Sequence, residues 1–355
     1  MNDLKDLEED LEEKVKKLCF LAIELTKNYK DAKTFYLQTH FNKKFLALVD
    51  NFEDIKIEKG FAFKNIINKK ALEIFSKNTN LVLDQKNHQL LISLNFSSES
   101  VSVKRNNIYI FANYLKKSRE YAQHFWPCQS CKGRGCKTCN YTKEKYPSLE
   151  SVFRKVFVDA FKASDCYFHA AGREDIDVLT LGNGRPCVIE VVNPTIANID
   201  LEKLSNSIKQ NYPIELLNPK YVQKFWVEVV CNSHFNKKYY AIISSEKRKL
   251  TLDDFKKLKN SLPILLKQRT PIRVLKRRAD IIRKRFILDL KLDKIENGML
   301  HVFIYAEAGT YIKEFISGDG GRTNPSVCSI LNTPCVCQKL DLIKVEDFFL
   351  KTIKD

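Results

Sequence analysis

The sequence predicts an α+β protein, and three observations carry that expectation. Apolar residues recur at three- and four-residue spacing near the N-terminus, the mark of one helix face. From about Phe52 onward, short runs of β-branched and aromatic residues mix with helical patterns. The chain has 355 residues, 44% hydrophobic and 29% charged, which suits a globular protein of two or three domains rather than a disordered one.

Leu4, Leu7, Leu11, Val15, Leu18, Ala22 and Leu25 define the first helix, with acids and lysines on its other face. Asn28–Val49 reads as helix or mixed structure, Asp54–Phe63 as a strand, Ile66–Phe75 as a helix and Asn80–Leu83 as a strand. His88–Phe96 and Val101–Phe111 look like paired strands around a polar break. Tyr114–Phe125 reads as a helix exposing Lys116, Lys117, Arg119 and His124, basic groups suited to phosphate contacts that position RNA. Tyr146-Pro147-Ser148 marks a boundary, with Ser148 capping a helix from Leu149 to about Ala163. Ile199–Gln210 reads as a helix, and Tyr221–Val230 and Lys237–Ile243 as strands. Thr251 caps a further helix that ends by Pro263, with Asp254 three residues later. Lys291–Tyr305 gives two strands joined at Asn297-Gly298, and Cys337–Lys351 a last strand and a short helix.

Charge points to a polyanionic partner. Lys and Arg together number 60 against 43 Asp and Glu, a net +17, which favours nucleic acid first and an anionic membrane surface second. The basic stretch Gln268–Phe286 carries eight Arg or Lys between 269 and 285 against the single acid Asp280, and reads as a phosphate-backbone clamp. Arg269, Arg273, Arg277, Arg278 and Arg283 are its candidate contacts. No apolar run reaches the length of a membrane span, and the acidic N-terminus lacks the features of a signal peptide, so an intracellular protein is expected, in cytoplasm or nucleus alike.

Eleven cysteines in a reducing compartment suggest metal binding and free thiols rather than disulfides. Cys128, Cys131, Cys136 and Cys139 form two Cys-x-x-Cys pairs with Gly133 and Gly135 between them, so the chain can reverse tightly and bring both pairs to one ion. Four sulfur ligands in a closed tetrahedral shell favour a structural zinc. Part of the motif resembles the zinc repeat of DnaJ-type chaperones, but that repeat recurs and this one does not. The remaining cysteines read as buried or surface thiols.

Phe168–Pro194 gathers Gly172-Arg173-Glu174-Asp175, Asp177, a glycine-rich turn at 182–186 and an apolar strand Val188–Val192. The segment can place a carboxylate at an exposed edge. A charged hairpin loop without chemistry is the other reading of the same residues. Several reactions are set aside: no P-loop, dinucleotide fingerprint or nucleophile elbow occurs, and the six histidines show no paired metal spacing. Asp177 falls two residues from Asp175 and, in an extended segment, points to the opposite face; it is expected to be structural.

Gly172-Arg173-Glu174-Asp175 with Gly184-Arg185-Pro186 resembles the motif of the archaeal and eukaryotic tRNA pseudouridine synthases called the pseudouridine synthase ten family. The resemblance extends through 108–123, the four-cysteine segment, 146–152, Lys238-Tyr239, 268–285 and 308–326, in the same order and spacing. It implies a THUMP-like RNA-binding domain of α/β type over 1–126, a zinc segment over 127–146 and an α+β, mixed-sheet pseudouridine synthase domain over 147–355. It implies an isomerase that converts uridine to pseudouridine in the tRNA T-loop, at conventional position 55 and, in some members, 54, without a cofactor for catalysis. By position, Asp175 falls on the catalytic aspartate, Tyr239 on the tyrosine that stacks on the target base and Tyr311 on a second substrate-contacting tyrosine. Lys313 falls where synthases keep a basic partner for the aspartate, and Arg173 and Arg322 fall in motif positions that contact substrate. A monomer binding tRNA is expected, with no membrane partner. The alternative is a tRNA-binding or folding protein that keeps the scaffold without the catalysis.

Overall fold

The computed structural model describes residues 2–43, 61–275 and 278–353, with side chains from residue 11 and, after the gap, from residue 64. The chain sorts into two compact units, one of Met1–Ile108, Phe157–Cys166 and Val191–Ile199, the other of Tyr109–Val156, Tyr167–Glu190 and Asp200–Asp355. Among the described residues no helix is long and apolar enough to cross a membrane.

The first unit holds strands β1 (Thr34–His40), β2 (Val82–Leu83), β3 (Leu90–Asn95) and β4 (Ser100–Arg105), with helices Asn2–Thr26 and Phe61–Lys77. Sheet order is β2-β1-β3-β4; β1 runs parallel to β2 and β3, and β4 pairs antiparallel with β3. Alternate residues of β1 and β3 are buried, so one face of the sheet carries the core. Val15, Leu18 and Ala22 of the first helix and Ala71 and Phe75 of the second pack with Phe35, Ile92 and Leu94. The Phe35 and Phe75 rings lie 4.6 Å apart, and each is fully buried, contributing about 2–3 kcal/mol by removal from water.

The second unit is built on a ten-stranded sheet. Its strands are β5 (Ile108–Lys116), β6 (Asp165–Ala170), β7 (Leu179–Val192), β8 (Ile214–Val222), β9 (Lys237–Ser244), β10 (Ile264–Arg269), β11 (Ile282–Glu296), β12 (Met299–Ala306), β13 (Thr323–Asn324) and β14 (Val336–Val345). The order is β13-β10-β11-β12-β9-β14-β7-β5-β8, with β6 beside β7. It is a mixed sheet: β14 runs antiparallel to β9 and parallel to β7. The hairpin β11–β12 turns at Asn297-Gly298, both at positive φ. One core joins Ala241, Leu266, Leu290, Val302 and Ile304 of the sheet to Leu258, Phe315 and Val327 of the helices. Thr251 and Asp254 form a reciprocal capping box at the start of helix Leu252–Asn260.

Several local expectations fail. Asn28–Val49, expected as helix or mixed structure, holds the strand β1 with residues 44–49 outside the described ones; residues 54–60 of the expected strand Asp54–Phe63 also lie outside them, while Phe61 opens a helix. Val101–Phe111 divides into β4 and β5, which belong to different sheets. Tyr114–Phe125 is not a helix: Tyr114–Lys116 ends β5 and irregular chain follows, with Lys116 fully buried rather than exposed. Residues buried on both faces of a strand leave no alternation to read. Tyr221–Val230 is the end of β8 followed by helix Phe225–Cys231, where Trp226 packs edge-on against Phe111 and Phe349. Residues 182–186 are no turn but the middle of β7. A Cβ on Gly182 would lie 1.8 Å from the Ile343 carbonyl oxygen, and one on Gly184 2.8 Å from that of Tyr114, so these glycines serve close backbone approach.

Candidate active site and metal centre

The stretch from Ala171 to Val178 connects β6 to β7 and would be an unsupported loop without the cations around its backbone. Lys116, at the end of β5, donates from Nζ to the carbonyl oxygens of Asp175 (3.2 Å), Ile176 (2.6 Å) and Tyr121 (3.0 Å). Arg119 donates to the carbonyl of Asp177 and pairs with buried Asp341. Three successive loop carbonyls thus face two cations. Burial pulls the Lys116 ammonium down to about 8. Glu174 turns inward, 2.9 Å from Arg185 Nε, and accepts from the Tyr114 hydroxyl at 2.8 Å. Gln123 donates to that hydroxyl and to the Gly172 carbonyl. Arg185 donates to the Ala171 carbonyl at 2.9 Å. This network anchors the loop while its next acid faces outward.

Asp175 meets a cation on each oxygen: Arg273 Nη1 at 2.6 Å from Oδ1 and Lys313 Nζ at 3.3 Å from Oδ2. Lys313 also donates to both oxygens of Asp177 at 2.7 Å. A turn closes over 175–178, Val178 N–H donating to the Asp175 carbonyl at 3.2 Å, so Asp177 shares a cation with Asp175 instead of facing away from it. Burial pushes the Asp177 carboxyl up, but the Lys313 ammonium outweighs it and holds it below the usual carboxylate range. Arg273, expected on RNA phosphate, bridges two acids: its Nε lies 2.6 Å from buried Glu314 Oε1. Burial acts to lower the guanidinium's proton affinity, and hydrogen bonds to Glu314 and Asp175 more than reverse that. Lys313 and Glu314 both come from the first turn of helix Ile312–Ser317. Tyr311 precedes it, its backbone fixed on both sides by the Gln268 side chain, at 3.0 Å to its N–H and 2.9 Å to its carbonyl.

These groups line a cavity of about 660 Å³ that includes Asp175, Asp177, Lys313, Arg273, Tyr239 and Tyr311. Tyr239 projects from β9, and burial pushes its phenol up to about 12, so it remains a neutral ring at working pH. Arg173 and Arg278 border the same cavity, Arg278 donating to the Tyr311 hydroxyl at 3.3 Å. Arg322 lies apart, donating to the Thr270 carbonyl at 2.7 Å and pairing with Asp280 at 2.6 Å. Arg269 pairs with the same Asp280 at 2.7 Å, and Arg283 donates to the Thr270 hydroxyl at 2.9 Å. Arg277 lies outside the described residues. Nothing local in the sequence marks Gln123 or Glu314, or gives Lys116 a loop rather than phosphate, because each acts through a partner 40 or more residues away.

The four sulfurs of Cys128, Cys131, Cys136 and Cys139 lie within 4.8 Å of one another. Sγ–Sγ distances of 4.0 Å (128–136), 3.9 Å (131–139) and 3.8 Å (136–139) match the edges of a tetrahedron around an ion with bonds of about 2.3 Å. The cluster can therefore hold a metal ion. Desolvation pushes the Cys139 thiol up, but backbone N–H groups of Cys136 and Lys143 draw it down to about 6, favouring the thiolate a metal needs.

A family model described as Pus10, C-terminal, matches residues 109–346. The protein named tRNA pseudouridine synthase Pus10 of Methanocaldococcus jannaschii is 37% identical over 94% of this chain and 73% of its own length. Its namesake from Methanococcus voltae is 37% identical over 75% of this chain and 52% of its own length. The solved structure of a Cbf5-Nop10-Gar1 complex aligns with 67% of this chain and 50% of its own, at 15% identity and a TM-score of 0.37. The match to the family model over most of the second unit, and to the Methanocaldococcus relative over nearly the whole sequence, means that this chain belongs to the Pus10 family.

Proposed function

We propose that this chain isomerises uridine to pseudouridine in the T-loop of tRNA, at conventional position 55 with 54 as a second target, and that Asp175 is its catalytic group. The observation that carries the reading is the Asp175 carboxylate in a cavity with Tyr239 and Tyr311, held by Arg273 and Lys313, in a chain of this family. The names of the relatives supply the substrate class.

The target uridine leaves its stack, which costs a few kcal/mol, and rests on Tyr239 and Tyr311. Asp175 assists cleavage of the bond between N1 and C1′, either by attack on the sugar or by drawing off its proton. The freed uracil rotates within the cavity; C5 bonds to C1′ as the bond from C1′ to Asp175 breaks or as Asp175 returns the sugar proton, and the C5 proton leaves while N1 takes up a proton. No atom is gained or lost overall, so the reaction asks for no cofactor. Arg273 and Lys313 fix the carboxylate from both sides, and the carbonyl contacts of Lys116 and Arg119 fix the loop that bears it. Arg173 and Arg278 are positioned to hold phosphate or base at the rim. Arg269 and Arg283 of the basic segment, and Arg322 beyond it, reach RNA only by giving up their present partners.

The four cysteines hold zinc as a structural ion, a reading supported by their sulfur donors and tetrahedral spacing. Residues 1–126 supply THUMP-like RNA contacts, a reading supported by the basic balance of the chain and its resemblance to the family. All the named groups come from one chain, so a monomer suffices, and a tRNA substrate places the work inside the cell.

Release of tritium from tRNA labelled at uridine C5 tests the proposal. Wild-type protein releases it; Asp175→Asn lowers release by roughly 10⁴-fold or more while tRNA binding survives. Full release by that variant would remove Asp175 from the reaction. Binding by the wild type with steep salt dependence but no release would identify a tRNA-folding protein instead.

A further inference from the structure

The four-cysteine segment does not stand clear of the cavity. Its two ends run side by side: Pro127 bridges Glu144, Cys128 N–H donates to the Lys143 carbonyl at 2.9 Å, and Lys145 N–H donates to the Trp126 carbonyl at 2.8 Å. The ladder ends in Trp126 and Tyr146, whose rings meet edge to face at 5.8 Å and 72°. Both rings are half-buried, and both line the cavity that holds Asp175. Arg173, two residues before Asp175, lays its guanidinium over Trp126 at 5.7 Å from the ring centre. A wall of aromatic and guanidinium planes thus borders the reacting group, carried by elements other than those that bear Tyr239 and Tyr311.

The isomerisation proposed above leaves Trp126 and Tyr146 of this wall without a part. A cavity of about 660 Å³ exceeds what one pyrimidine ring fills and lies in the range that takes a larger ligand. A flipped nucleotide leaves its neighbours without a stacking partner. Aromatic rings and arginine planes are the surfaces on which unstacked bases rest. We propose that Trp126, Tyr146 and Arg173 form a second base-stacking subsite that takes the nucleobase adjacent to the target uridine. The inference rests on reading the cavity as an RNA-modifying site. It gives the four-cysteine segment a part in substrate positioning, through the ladder that sets the two rings.

The chain contains two tryptophans, and Trp226 is partly buried, packed against Phe111 and Phe349 and outside the cavity lining. Trp226→Phe therefore leaves Trp126 as the sole tryptophan reporter in the full, metal-loaded chain. Titration with a T-arm RNA hairpin is expected to quench its emission, along the same curve as the anisotropy of labelled hairpin. Trp126→Ala is expected to weaken hairpin binding about tenfold and to raise KM more than it lowers kcat, with Trp126→Phe recovering most of the loss. Saturation of the hairpin site with Trp126 emission unmoved would overturn the subsite, as would wild-type affinity in Trp126→Ala. Quenching that persists in an Asp175→Asn protein unable to release tritium supports both readings. Quenching alongside full release by that variant removes Asp175 and keeps the subsite, whereas an absence of hairpin binding overturns both.

Discussion

The Asp175 loop and the four-cysteine segment are both irregular, glycine-bearing stretches that border one cavity, yet they are held by opposite means. The cysteine segment closes on itself through four sulfurs spaced within a dozen residues. The Asp175 loop is held from outside, by Lys116, Arg119 and Arg185 beneath it and by Arg273 and Lys313 above it. A segment whose four sulfurs can meet on one ion is held by ligands of its own. A loop held by distant cations depends on the whole sheet that carries them. The first fails locally, and the second fails with the fold.

Metal removal should give the largest effect and keep it local. With zinc held there as proposed, a chelator would withdraw a binding free energy on the order of 10 kcal/mol from the cysteine segment. Trypsin should then cut at Lys132, Arg134 or Lys137 while the main urea transition barely moves. A matching shift of that transition would mean that the segment and the fold are not separable. Next in size is Glu174→Ala, which leaves Arg185 buried without its acid and should cost about 3–5 kcal/mol in urea unfolding. Glu174→Leu combined with Arg185→Met should recover part of that loss, because no charge then stays buried alone.

Lys116→Met should cost about 1–3 kcal/mol by orphaning buried carbonyls, and should lower kcat beyond what stability explains. Its pH signature has a definite sign. Burial lowers Lys116 to about 8 from 10.5, so the folded chain gives up this proton before the unfolded chain does. The penalty of the buried charge is complete below pH 8, and stability gains from its release as pH rises from 8 toward 10.5. In Lys116→Met that gain should vanish from a pH series of urea midpoints. The smallest effect belongs to Arg269→Gln, an exposed pair with Asp280 that should change stability by less than about 1 kcal/mol. A large loss there would mean that the basic segment supports the fold as the Asp175 loop's cations do.

The same contrast explains what the sequence made legible. Cysteine spacing is a local signal, and so is the Thr251–Asp254 capping box; both were read directly. The mixed α+β class also followed from local runs. Glu314 left no such trace, because its partner Arg273 lies 41 residues away and nothing in either neighbourhood announces the pair. Arg273 itself looked like one more cation in a basic run, whereas the fold gives it two carboxylates of the chain's own. A strand covered on both faces has no polar edge to show, so the one lysine of β5, Lys116, reads as surface in the sequence although it is buried. Asp177 faces Lys313 because a turn at 175–178 replaces the extended backbone that residue spacing suggests.

Gly182 bears on how inactive variants of this protein are to be interpreted. It lies opposite the Ile343 carbonyl with room for hydrogen alone, where β7 and β14 run side by side. Any side chain there acts as a wedge between the strand that follows the Asp175 loop and its neighbour. Such a variant would lose activity with every reacting group intact, and a genetic screen would score it beside true active-site lesions. Only a measurement of folding would tell the two apart.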